Sequence, residues 1–204
     1  MKIAVPILVL LVLAFVALRL LAKLRAQAPA APTRSGTVQK SSSEPKDVHA
    51  GLRNSMLQGP RSKFGLAPTS TPTEPWGVLM DWGVQRGTAT VVASSDGSAS
   101  VYFSFGGGYI GGRGQEPIRR AAQRAVEVAA GVQPLAHPTT AFPLPERGGV
   151  IFYLLTDSGV FSASTTEHDL NSTSHPLRKL GDAMQDVITQ YRLWSEEQKK
   201  VESK

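Results

Sequence analysis

The sequence predicts an α+β domain: a single, mainly antiparallel sheet of about five strands with two helices packed on it, in the order β-β-β-α-β-β-α. Three observations carry the prediction. Trp76–Val84 (WGVLMDWGV) alternates, with Trp76, Val78, Met80, Trp82 and Val84 on one face. Asp96-Gly97 joins the β-branched run Thr88–Ser94 to Ala99–Phe105 as a hairpin turn, because glycine tolerates the positive φ of such turns. Two stretches near 117–131 and 176–197 repeat apolar residues at helical spacing. An N-terminal transmembrane helix and a disordered linker are expected to precede this domain.

The anchor is read over residues 1–25. Ile3–Leu18 carries no charge across 16 residues, about 24 Å as a helix, and extension to Leu24 gives roughly 33 Å against a ~30 Å hydrocarbon core. Arg19 and Lys23 then sit where long basic side chains reach the headgroups. The competing reading is a cleaved secretory signal with Ala26-Gln27-Ala28 as its site. Pro29 just after the cut, and Arg19, Lys23 and Arg25 before it, argue against cleavage. Residues 3–24 therefore attach the chain to a membrane. The more basic flank, Arg19 to Arg34, places the domain in the cytoplasm by the positive-inside rule, with an exported or envelope-facing domain as the alternative.

Residues 26–75 form a Pro/Ser/Ala-rich linker whose composition buries too little apolar surface to fold alone. One short helix is expected within it, over 47–57, where Val48, Leu52 and Met56 recur at i, i+4 and i+8 and Asp47 can cap. The formal charge of +6 belongs to these two segments: residues 1–25 carry +4, 26–75 carry +3 and 76–204 carry −1. A near-neutral globular part excludes a nucleic-acid footprint. The chain has no cysteine, which excludes disulfides, thiol nucleophiles and thiolate metal sites.

The globular domain is read over 76–197. Thr88–Ser94 and Ala99–Phe105 follow the first strand, with a short edge strand at Tyr109–Gly111. The first helix begins near Pro117, with Glu116 at its positive end, and buries Ile118, Ala121, Ala122, Ala125, Val126 and Ala129. Gln133–Gly149 is a proline-rich crossing. Val150–Thr156 is apolar throughout, hence central, and Asp157-Ser158-Gly159 turns it into Val160–Thr165. The last helix spans 176–197, capped by Ser174, with a stripe of Leu177, Leu180, Met184, Val187, Ile188, Tyr191 and Trp194; residues 198–204 fray. Over 76–197 this element order is similar to that of profilin-like and roadblock/longin-type domains, without a shared motif and with no functional residue carried over.

The chemistry-bearing candidates are sparse. Gly106, Gly107, Gly108, Gly111 and Gly112 follow a strand and precede a helix, and Gly106-x-Gly108-x-x-Gly111 matches the dinucleotide fingerprint. As a ligand site this loop would bind a nucleotide or phosphate, with Arg113, Arg119 and Arg120 as anion partners. The helix starts five residues after the third glycine, and Glu116 occupies its positive end. The duller reading is that the glycines let backbones pass closely. Glu167-His168-Asp169 with His175 lacks the spacing of a metal helix, and no G-x-S-x-G elbow occurs. Asp81 stands in a strand between Met80 and Trp82, and reads as a satisfied structural acid or one with a functional pKa. No catalytic residue, metal or cofactor is expected. The expectation is a non-enzymatic module acting through an unknown protein partner or as a homodimer; the alternative is a small-ligand sensor built on Gly106–Gly114.

Overall fold

The architecture, from a computed structural model describing residues 44–67 and 70–203, is one seven-stranded antiparallel sheet with helices on both faces. The anchor of residues 3–24, and the linker before residue 44, lie outside the described residues. Among the described residues no helix is long and apolar enough to cross a membrane.

A helix, α1 (Pro45–Gln58), comes first, followed by a short 3-10 turn. The strands are β1 (Gly77–Val84), β2 (Gly87–Ser94), β3 (Ala99–Phe103) and β4 (Gly108–Ile110). Helix α2 (Glu116–Val132) follows, then β5 (His137–Thr139), β6 (Gly149–Thr156) and β7 (Gly159–Thr166). A single helical turn, α3 (Glu167–Leu170), leads to α4 (Arg178–Glu202). The spatial order is β4-β3-β2-β1-β6-β7-β5. The sheet has seven strands against about five expected: β4 is the short edge strand expected at Tyr109–Gly111, one residue earlier, and β5, three residues within the proline-rich crossing, is too short to show a period. The last helix also runs five residues past Glu197, and Ser174 does not cap it; Leu177 holds that position without a side-chain bond.

Alternation along the strands makes two cores. Helices α2 and α4 lie side by side on one face. Helix α2 buries Ile118, Ala121, Ala122, Ala125, Val126 and Ala129, as the sequence spacing predicts, plus Val132. Small side chains bring its axis close to the sheet. Tyr191 of α4 reaches across to donate a hydrogen bond to the Ala99 carbonyl (2.7 Å), and burial pushes its phenol up to about 12. The opposite face carries Leu79, Val92, Tyr102, Tyr153 and Leu155, packed with Trp76, Leu66 and Leu57 of α1.

Helix α1 sits on that second face, but not on its expected stripe. Its buried residues are His49, Arg53 and Leu57, also at i, i+4 and i+8. The Val48–Leu52–Met56 stripe is rotated by one residue, about 100°. Val48 is 48% exposed, and Leu52 and Met56 are half-buried. The reason is electrostatic: Asp81 at the centre of the sheet requires a cation above it.

Candidate functional site

The sheet row Asp81–Thr90–Tyr102 runs across β1, β2 and β3 under α1, fixed by the strand registers. Asp81 is fully buried, in the middle of a central strand. Arg53, 5% exposed, lies above it and donates Nε to Asp81 Oδ2 at 2.6 Å. The rest of the guanidinium is also engaged. Nη1 donates to the Phe142 carbonyl at 3.0 Å, and Nη2 to the Pro143 carbonyl at 3.1 Å. Nη2 also reaches Tyr153 Oη at 3.4 Å, and the cation lies 5.4 Å from the centre of that ring. Tyr153 in turn donates to the Pro143 carbonyl at 2.8 Å. One side chain from α1 thus ties a strand and the proline-rich crossing together.

The second oxygen of Asp81 accepts from Thr90 Oγ1 at 2.5 Å. His49 Nε2 lies 2.9 Å from the same hydroxyl. The single hydroxyl proton points at the carboxylate, so His49 must donate through Nε2. Its ring meets Tyr102 edge-on at 5.5 Å. Burial and the adjacent Arg53 hold the His49 imidazole below its ordinary pKa. Burial pushes the Asp81 carboxyl up, with Arg53 and Thr90 pulling against it. Burial likewise raises Tyr102 and Tyr153. The Tyr102 hydroxyl is buried with no hydrogen-bond partner in the structure.

Carboxylate, hydroxyl and imidazole are the ingredients of a nucleophilic triad, but the connectivity differs. In a triad the imidazole takes the proton of the hydroxyl, and the carboxylate orients the other imidazole nitrogen. Here the hydroxyl donates to the carboxylate and accepts from the imidazole, so His49 does not stand as the base for that hydroxyl. The chemistry of this cluster is to hold a charged helix on a sheet.

The loop singled out in the sequence lies beside this centre, at the β4 edge. Gly106, Gly107, Gly108 and Gly111 all have positive φ. A Cβ at Gly108 would strike Tyr102 and the Val101 carbonyl, and one at Gly112 would strike Tyr191 and Ile118. These glycines therefore serve close backbone and ring approach. The three arginines turn to carboxylates of the chain: Arg113 lies 3.3 Å from Asp96, and Arg119 and Arg120 both bond Glu116. Among the described residues no group of three His, Asp or Glu is placed to hold a metal ion.

Two hollows open along α1 on its β4 side. One, about 280 Å³, is walled by Leu52, Met56, Phe64, Val92 and Ile110. The other, about 400 Å³, lies between Pro45, Val48 and Leu52 of α1 and the Gly106–Ile110 segment. Tyr102 borders both. The stripe that α1 turns away from the core thus faces the β4 edge, where Ile110 is 67% exposed.

Sequence reasoning singled out Asp81 but missed Arg53 and His49. The signal was present as the His49–Arg53–Leu57 spacing, in competition with a more apolar stripe one residue earlier.

The described residues define an α+β domain with a single antiparallel sheet. No protein-family model, curated protein or solved structure matches the chain.

Proposed function

We propose that the chain is a membrane-tethered, non-enzymatic α+β module that acts through protein contacts, with self-association foremost. The observation that carries this reading is the apolar surface at the β4 edge: Val48 and Ile110 stand exposed beside two apolar-walled hollows. Contiguous exposed apolar surface on a folded domain marks association. The inward wiring of the buried polar groups supports the same reading, since Asp81 and Arg53 spend their hydrogen bonds on the fold. The membrane attachment rests on the uncharged run Ile3–Leu18 and its basic flank.

The test is the mass of the full-length chain, extracted in mild detergent and measured by light scattering with correction for bound detergent. A dimer, or a stable complex with a second protein, is the expected result. A strict monomer that brings nothing with it would sink the proposal.

A further inference from the structure

The two edges of the sheet differ in what their backbones offer. In an antiparallel ladder, residues alternate between bonding their neighbour and pointing away from it. The Phe103 N–H bonds the Gly107 carbonyl and the Gly111 N–H bonds the Ala99 carbonyl. With Val101 opposite Tyr109, the inward-bonded residue of β4 is therefore Tyr109. Gly108 and Ile110 direct their N–H and C=O groups outward, and no partner for them occurs among the described residues. At the other edge the same reasoning, from the Glu167 N–H to Gly148 carbonyl bond through β6 and β7, makes Pro138 the outward residue of β5. Proline has no N–H, so that edge offers no donor within its strand. β5 is thus blunted and β4 is open, although β7 runs past β5, with Ser164 and Thr166 facing that side beyond the paired residues 160–162.

The open edge is complementary to itself. A two-fold axis through Tyr109 pairs Gly108 of one copy with Ile110 of the other, and the reverse. The four outward groups of each β4 then pair with those of the second copy, giving four backbone hydrogen bonds. Each Ile110 side chain, which projects on the α1 side, lies across from a glycine and enters the hollow beside Val48 and Leu52. On the flanks, Gly107 lies across from Gly111, neither bearing a side chain. The segment 106–112 (GGGYIGG) bears no charge, and two copies meet there without repulsion.

We infer that β4 is the dimerisation edge of this protein, and that two copies join β4 to β4 antiparallel about Tyr109 into a continuous sheet of fourteen strands, seven from each. This deepens the self-association reading above and rests on it. It also gives the glycines flanking β4 a role: they clear the backbone for a second backbone.

Cross-linking of the full-length chain in detergent tests the pairing. The chain has no cysteine, so Tyr109→Cys supplies the only thiol. Directly opposed non-bonded residues lie about 4.5 Å apart at Cα, within disulfide range. Tyr109→Cys is expected to oxidise to a covalent dimer, and His137→Cys at the other edge is not. Ile110→Lys, at an exposed position, is expected to keep the wild-type circular dichroism and raise the dimer Kd roughly a hundredfold, by removing a central apolar contact and burying a charge. A dimer that survives Ile110→Lys, or that Tyr109→Cys fails to cross-link, overturns this edge and leaves self-association standing. A monomer in complex with another protein overturns the dimer and leaves the protein-contact reading. A monomer alone overturns both.

Discussion

Asp81 and Arg53 set the character of the α1 face. A buried carboxylate left without its cation costs several kcal/mol, whereas replacing the whole pair by apolar groups of similar size can be neutral. Arg53→Met alone is therefore expected to destabilise by about 3–5 kcal/mol, and Arg53→Met with Asp81→Leu to recover most of that loss. Urea unfolding of the two single variants and the double variant checks the coupling. His49 adds a pH dependence whose sign follows from its lowered pKa. The folded state disfavours imidazolium, so this stability is complete above the ordinary value of 6.5 and is lost as the pH falls through it. Asp81 acts oppositely: its raised pKa makes the folded state the stronger proton acceptor, which offsets part of the loss at acid pH. Urea midpoints between pH 7.5 and pH 5 are expected to fall for wild type and to flatten or reverse for His49→Gln.

At the scale of elements, the long pieces were legible, and of the short strands β4 was marked by its flanking glycines while β5 was not. β1, β2, β6 and β7 each have eight residues, enough for alternation or an apolar run to show. The alanine face of α2 declared itself through spacing alone. β4 and β5 are too short to carry a period, and they are held by the neighbours they pair with. Helix α1 had two candidate faces one residue apart, and the choice depended on a carboxylate 28 residues downstream of Arg53. Such a partner has no signature in local spacing. Only its half of the candidate site was therefore visible: Asp81 as an acid in an apolar strand. The proline-rich crossing gives a further test. Its backbone lies directly on Gly83, where the Gly148 N–H bonds the Gly83 carbonyl at 2.7 Å and a Cβ would run into the Glu146 carbonyl. Gly83→Ala is expected to cost about 1–3 kcal/mol, as overpacking does, seen as a lowered urea midpoint.

For the molecule as a whole, the described residues from Glu44 to Ser203 belong to one compact unit. α1 supplies the cover for Leu79, Tyr102, Tyr153 and Asp81, which no other helix of the described residues approaches on that face. A chain starting at Glu44 is expected to unfold in one cooperative transition. One starting at Glu74 leaves the face bare, and is expected to bind an apolar dye and aggregate; dye fluorescence and sedimentation distinguish the two.

Pro138 has a consequence for stoichiometry. A sheet that accepted strands at both ends could add copy after copy into a filament. With proline at its outward position, β5 does not receive a strand as β4 can, and that edge keeps only the short stretch of β7 that runs past it, Ser164 to Thr166. On the proposed β4 pairing, this asymmetry between the edges favours a closed pair over a fibre.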